Sequence, residues 1–286
     1  LYEDDYTGPA FDWPDYEEDT YPEAAKEHVQ LRYRAMVSMI DNYLGHLLDT
    51  FDCLNLWEDT ALIVYTDHGF LLGEHGFMGK NFTEPYEAIT HTPFFIHDPR
   101  NPKPGTQENR LACALNLAPT LADLFDLPAP EGSVDLPLST LDDDNATLHA
   151  AVFFGCFGGQ IGISDGHYAL YKSPLKEAKG ELYNYTLAPS HMRVTFGQDE
   201  LSQAELVTHK DVFGGDLDTK ILKVPASESD HWFEMPDKLY DIKADPNQNG
   251  TVDNPAKQKE LEEKLRSLFV RYHAPREFYK RFGLEG

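Results

Sequence analysis

Residues 61–80, ALIVYTDHGFLLGEHGFMGK, constrain what this chain can fold into more than any other stretch. Ala61, Leu62, Ile63, Val64, Tyr65 and Thr66 run without a charge up to Asp67. A short apolar run of this kind predicts a strand buried on both faces of a parallel sheet. Asp67, His68 and Gly69 follow where the strand must end and the chain must turn. In open α/β sheets, ligands bind in the crevice outside the carboxyl ends of the strands. An Asp beside a His there, with a Gly to let the backbone turn, makes a workable pair of metal ligands. The same three residues suit an Asp-Gly type turn with a solvated His equally well. Taken alone, they leave both readings open.

The wider context separates them. Thr66-Asp67-His68-Gly69, Leu72-Gly73-Glu74-His75-Gly76, Lys80 and Thr90-His91-Thr92-Pro93 occur in that order. This ordered set resembles the metal-binding segment of the sulfatases, within the alkaline-phosphatase-like superfamily, and is most similar to the iduronate-sulfatase-like branch. Upstream, Tyr33-Arg34-Ala35-Met36-Val37-Ser38-Met39-Ile40-Asp41 resembles a long family helix, and Ala118-Pro119-Thr120-Leu121 resembles a later family segment. The resemblance implies an α/β fold: part of an alkaline-phosphatase-like mixed sheet flanked by helices, then a smaller C-terminal antiparallel-sheet subdomain with a closing helix. It covers most of residues 23–145 and returns at 239–272.

Composition bounds the partners. The formal net charge of −25 opposes nucleic acid or anionic membrane, since polyanions are repelled. A cation and a few local basic groups must therefore reverse the field wherever an anionic ester binds. No apolar run has the length of a membrane span. The first residues have neither the basic start nor the apolar core of a signal peptide, and the chain does not begin with Met, which predicts an interior piece of a longer protein. Cys53, Cys113 and Cys156 lie in apolar settings without metal-like spacing and are expected as buried free thiols. Asn-x-Thr sequons at Asn81, Asn145, Asn184 and Asn249 are taken as chance.

Along the chain, residues 1–22 read as an extended acidic loop whose Tyr6, Phe11 and Trp13 should pack on something. Met36, Ile40, Tyr43, Leu44, Leu47 and Phe51 recur at helical steps and predict a packing helix. Residues 93–97 predict the next buried strand, and 111–124 a helix with Pro119 as a kink or near its start. The Pro-, Asp- and Ser-rich segment 128–145 reads as a linker, which divides the chain into 1–145, the C-terminal portion of the α/β domain, and 146–286, an α+β subdomain. In that second part, apolar runs at 152–157, 160–164 and 168–172, with Asp165-Gly166 between the last two, predict antiparallel hairpins. Residues 175–235 lack periodicity and suggest long loops, 239–242 suggest a strand, and 255–272 an amphipathic helix.

Cleaving a sulfate ester needs a nucleophile at sulfur and cations on the non-bridging oxygens. By resemblance, Asp67 and His68 are two ligands of a divalent cation, calcium in most of the family, although a His suits a hard cation poorly. Lys80 matches the lysine that points at the sulfate, and His91 is a candidate substrate contact. The family nucleophile is a formylglycine made from Cys or Ser in Cys/Ser-x-Pro-x-Arg, and none of the three cysteines has that context. The expected partners are a sulfated small molecule or carbohydrate and a missing N-terminal part that carries the nucleophile. Two alternatives remain: a two-metal phosphodiesterase or phosphomutase of the same superfamily using zinc or manganese, and a non-catalytic binding module.

Overall fold

A computed structural model describes residues 5–8, 17–18, 20–80, 82–191 and 194–285; the expected packing of Phe11 and Trp13 and the sequon Asn81 lie outside them. The chain divides into two compact units, Leu1–Asn109 and Arg110–Gly286.

In the first unit, β1 (Glu17–Glu18) precedes the 32-residue helix α1 (Glu23–Leu54). The helix stops at Asn55, which takes a left-handed conformation (φ 54°) and returns its N–H to the Asp52 carbonyl, a common helix end. At its start, Tyr6 stacks on His28, ring centroids 4.3 Å apart. At its end, Phe51 packs on Trp57 at 4.8 Å. Between those ends the expected packing stripe is largely uncovered. Met36, Ile40 and Tyr43 are 51%, 61% and 66% exposed, while Phe51 is buried.

The strand β2 (Leu62–Tyr65) forms where expected, but its setting differs from the sequence expectation. It pairs with β5 (Phe94–His97) alone, and antiparallel, in the register Leu62↔His97 to Tyr65↔Phe94. No parallel neighbour lies among the described residues. A two-stranded ribbon leaves much of both faces open, so Tyr65, Phe94, Phe95 and Ile96 are exposed instead of buried. Between these strands lie β3 (Leu71–Leu72), β4 (Phe77–Gly79) and the one-turn helix α2 (Glu87–Thr90). β3 and β4 form an antiparallel hairpin, Leu71↔Gly79 and Leu72↔Met78, and β1 adds to the other edge of β4. Leu71 and Met78 are its fully buried anchors.

The second unit starts with a 3-10 turn at Ala114–Asn116 leading into α3 (Leu117–Leu124). Pro119 stands in the first turn of α3, where a missing N–H costs no intrahelical bond, so the helix is not kinked there. The expected linker is pinned. The Arg110 guanidinium donates to the carbonyls of Leu141, Asp143 and Ala146, and Thr120 accepts from the Leu138 amide. The domain change expected near residue 145 therefore falls inside this unit.

Next come β6 (Val152–Gly155), β7 (Ile161–Ser164) and β8 (Tyr168–Lys172), antiparallel as the hairpin signals predict. Residues 175–235 are not long loops. They hold β9 (Tyr183–Thr186), α4 (Gln198–Ser202), β10 (Glu205–Thr208), α5 (His209–Phe213) and β11 (Lys220–Pro225). These three strands make a second antiparallel sheet in the order β10-β11-β9. Their pairings link residues far apart in sequence, so no local period announces them. β12 (Lys238–Asp241) returns to the first sheet, giving the order β12-β8-β7-β6.

The closing helix α6 (Pro255–Arg271) and the short α7 (Arg276–Arg281) follow. Leu261, Leu265 and Phe269, four residues apart, line one face of α6 and pack with Ile163, Leu170 and Leu239 of the sheet. Burying each such side chain contributes about 1.5–3 kcal/mol. Asn254 caps this helix, its side-chain oxygen accepting the Lys257 amide at 3.1 Å. No helix among the described residues is long and apolar enough to cross a membrane. The three cysteines are free thiols, but Cys53 on α1 is exposed, contrary to expectation, and only Cys113 and Cys156 are half-buried. Burial pushes both of those thiols up, away from the reactive thiolate.

Candidate active site

β2 ends at Tyr65, and Asp67, His68 and Gly69 leave its carboxyl end as the sequence predicts. Gly69 is needed there for a reason other than a turn. A Cβ on it would lie 1.9 Å from the Ala88 carbonyl oxygen. Its amide donates to the Ile89 carbonyl at 2.7 Å, which ties the strand end to α2. Any side chain at this position would force the two segments apart.

The backbone then orients two donors. The His68 amide donates to Asp67 Oδ1 at 2.9 Å. The His68 ring places Nδ1 2.9 Å from the Gly69 carbonyl oxygen, which can only accept, so Nδ1 donates there. Asp67 Oδ2 lies 3.1 Å from Nε2 of that ring. The Lys80 ammonium meets the same His68 Nε2. Slight desolvation pushes the Asp67 carboxyl up, but the charge of His68, its amide and the charge of Lys80 outweigh it and hold the group below the usual carboxylate range.

Adjacent donors on one divalent ion at about 2.3 Å lie about 3 Å apart. A carboxylate oxygen and an imidazole nitrogen 3.1 Å apart have that spacing. Among the described residues, no group of three or more His, Cys, Asp or Glu could hold an ion. Two donors are fewer than a hard cation takes.

Three contacts hold the β3–β4 hairpin from which Lys80 leaves. Gln30 of α1 donates to the Leu72 carbonyl at 2.9 Å. The Glu74 carboxylate accepts from the Leu72 amide. His75, inside the turn joining β3 and β4, takes a left-handed conformation (φ 56°) and stacks on Tyr86 at 3.6 Å. Glu74 thus orients a neighbour, as a carboxylate in that turn can, and His75 is held by a ring.

His91 is not brought to this cluster. It follows α2, pairs through Nδ1 with Glu87 at 3.1 Å, and is 77% exposed. The hydrogen bond to Glu87 raises its pKa against partial desolvation. Gln30, Glu84 and Tyr86 hold the site loop but carry no signal in the sequence. Gln30 lies on an ordinary helical face, and Thr83-Glu84-Pro85-Tyr86 reads as a polar loop.

Residues 2–127 match the sulfatase family model. An N-acetylglucosamine-6-O-sulfatase of Bacteroides thetaiotaomicron is 25% identical over 244 residues, covering 84% of this chain and 35% of that protein. Iduronate 2-sulfatase of Mus musculus is 33% identical over 131 residues, covering 38% of this chain and 24% of that protein. The chain therefore spans about a third or less of the length of these relatives. A structure solved in complex with its substrate D-glucosamine-2-N,6-O-disulfate superposes with a TM-score of 0.57 at 20% identity, covering 89% of this chain and 44% of that one. That likeness shows the alkaline-phosphatase-like fold. In its ordered motifs, its fold and the match over residues 2–127, the chain is similar to the sulfatases.

Proposed function

We propose that this chain is the part of a sulfuric ester hydrolase that supplies two ligands of the divalent cation and the sulfate-binding lysine, with the formylglycine nucleophile carried on a preceding part of the same protein. The observation that carries this reading is the convergence of the Lys80 ammonium on His68 Nε2 beside Asp67 Oδ2. The exposed apolar stripe of α1 and the open β2–β5 ribbon support it, since a two-stranded ribbon is marginal alone and suits the interior of a larger sheet.

In this reading, Asp67 and His68 would hold the divalent cation, calcium, which would supply positive charge beside the sulfate oxygens. Lys80 adds a compact positive charge that strengthens its hold as negative charge builds up in the transition state. The Nδ1–H of His68, donated to the Gly69 carbonyl, orients the ring so that Nε2 faces Asp67 and Lys80. His91, exposed at the end of α2 and paired with Glu87 outside this cluster, would touch only a more distant part of the substrate. The substrate class is a sulfated carbohydrate, by analogy with the related N-acetylglucosamine-6-O-sulfatase and the glucosamine disulfate complex.

The experiment is an assay of the full-length protein on sulfated monosaccharides and aryl sulfates, with a phosphodiester as control. Sulfate release that Lys80→Ala largely removes is the expected result. Faster turnover of the phosphodiester, indifferent to Lys80, would assign the chain to the two-metal branch instead.

A further inference from the structure

The segment carrying Lys80 is anchored on both sides, and the two anchors differ in chemistry. On the N-terminal side, β4 pairs Met78 with Leu72 and with Glu17, and Met78 is 1% exposed. On the C-terminal side the anchor is a buried acid. Glu84 is 2% exposed, between Thr83 at 3% and the nearby Tyr86 at 5%. Its Oε2 accepts from the Thr83 hydroxyl at 2.8 Å and from the Tyr86 hydroxyl at 3.0 Å.

Burying a carboxylate costs free energy that an apolar side chain of similar size would not, so filling space does not account for Glu84. What the carboxylate adds is direction. It fixes where the Tyr86 hydroxyl lies, and with it the axis along which the ring is held over His75. That ring lies on His75, centroids 3.6 Å apart and planes 10° from parallel. His75 holds φ 56°, a left-handed conformation that a non-glycine residue keeps only where its surroundings over-determine it. His75 sits in the turn between β3 and β4, and Lys80 emerges directly after β4.

We propose that Glu84 is a positioning residue: through Tyr86 it holds His75 in the left-handed conformation, and so sets the β3–β4 turn from which Lys80 leaves. The consequence for sulfate recognition rests on the function proposed above, whereas the positional claim stands apart from it.

The test uses the full chain and no sulfate ester, so a failed sulfatase assignment leaves it readable. NMR follows the His75 ring protons, which the current of the Tyr86 ring shifts upfield. Amide hydrogen exchange is followed at residues 71–80, with residues 161–172 of the second unit as internal control. Glu84→Ala is expected to move the His75 ring signals toward those of an exposed histidine. It should also speed exchange across 71–80 by roughly 10-fold or more while leaving 161–172 unchanged. Glu84→Gln, which keeps an acceptor oxygen, should restore most of both effects. Tyr86→Phe keeps the ring but loses the hydroxyl, and should reproduce part of the Glu84→Ala shift.

Unmoved His75 signals in Glu84→Ala overturn the proposal. Equal loss of protection in both units overturns it too, because Glu84 would then be a general stability residue. If Glu84→Ala does not fold, Glu84→Gln and Tyr86→Phe decide the matter: a His75 ring unmoved in Tyr86→Phe removes the link through the hydroxyl.

Discussion

Lys80 directs its ammonium at Nε2 of His68, whose Nδ1 is held 2.9 Å from the Gly69 carbonyl oxygen. Asp67 Oδ2 stands 3.1 Å from that Nε2. A cation from the end of one hairpin thus meets the imidazole that stands beside a carboxylate at the end of a strand. The consequences can be measured residue by residue.

In a sulfatase-active form of the protein, Lys80→Ala should lower kcat/KM by about 10²-fold, about 3 kcal/mol, the scale of a lost transition-state donor. The loss should fall more on kcat than on KM, because the contact strengthens as charge develops. Lys80→Arg should rescue poorly, since a planar fork does not reproduce a compact ammonium at the His68 nitrogen. Near-native steady-state kinetics for Lys80→Ala would remove Lys80 from the site.

Calcium binding by residues 1–286 alone should be weak, because a hard cation takes six or more oxygen-type ligands and Asp67 with His68 offers two donors. Isothermal titration is expected to show no binding below about 10⁻⁴ M, the weak end for calcium modules. Asp67→Ala should abolish the residual signal. Submicromolar binding would mean that further ligands exist within this chain.

Asp165 gives the second unit an acid limit. Partial burial pushes its carboxyl up, but the amides of Tyr168 and His167 and the Lys257 ammonium pull it from 3.8 to about 2. Folding therefore favours the ionised form, a stabilisation complete above about pH 4 that disappears as pH falls toward 2. It amounts to about 1–2 kcal/mol. Thermal melts should show Asp165→Asn destabilised by that amount at pH 7. The difference from the parent chain should vanish near pH 2, and a gap that stayed constant with pH would refute this origin.

Arg281 is 1% exposed and pairs with Glu228, itself almost fully buried, while its other arm donates to the Gly158 carbonyl at 2.7 Å. Removing one member of a buried pair strands the other charge. Arg281→Ala should therefore cost about 3–5 kcal/mol in urea unfolding of the second unit. Arg281→Met combined with Glu228→Gln should recover much of that loss, because neither charge is then left unpaired. A double variant no more stable than Arg281→Ala would show that the packing over Phe233, and not the ion pair, dominates.

Sequence alone determined the parts of this protein that rest on short-range rules. The apolar run before Asp67 made a strand, and Asp165-Gly166 made the turn between β7 and β8, with Gly166 at φ 82° and Asp165 accepting the next amides. The four-residue spacing of Leu261, Leu265 and Phe269 made the closing helix. Each depends on neighbours within a few positions, so the pattern carries the outcome. The meeting of Asp67, His68 and Lys80 was legible only through the resemblance of an ordered motif, since nothing local brings residue 80 back to residue 68.

The tertiary structure decided the rest. It set β2 antiparallel to β5, built a sheet from residues 183–225, left Cys53 in solvent, and made Gly69 obligatory by laying the Ala88 carbonyl against it. It also buried Glu84 against the hydroxyls of Thr83 and Tyr86. Strand partners, close backbone approach and the burial of one acid are fixed by segments distant in sequence. Their free energies come from packing and hydrogen bonds that exist only once the chain has closed on itself.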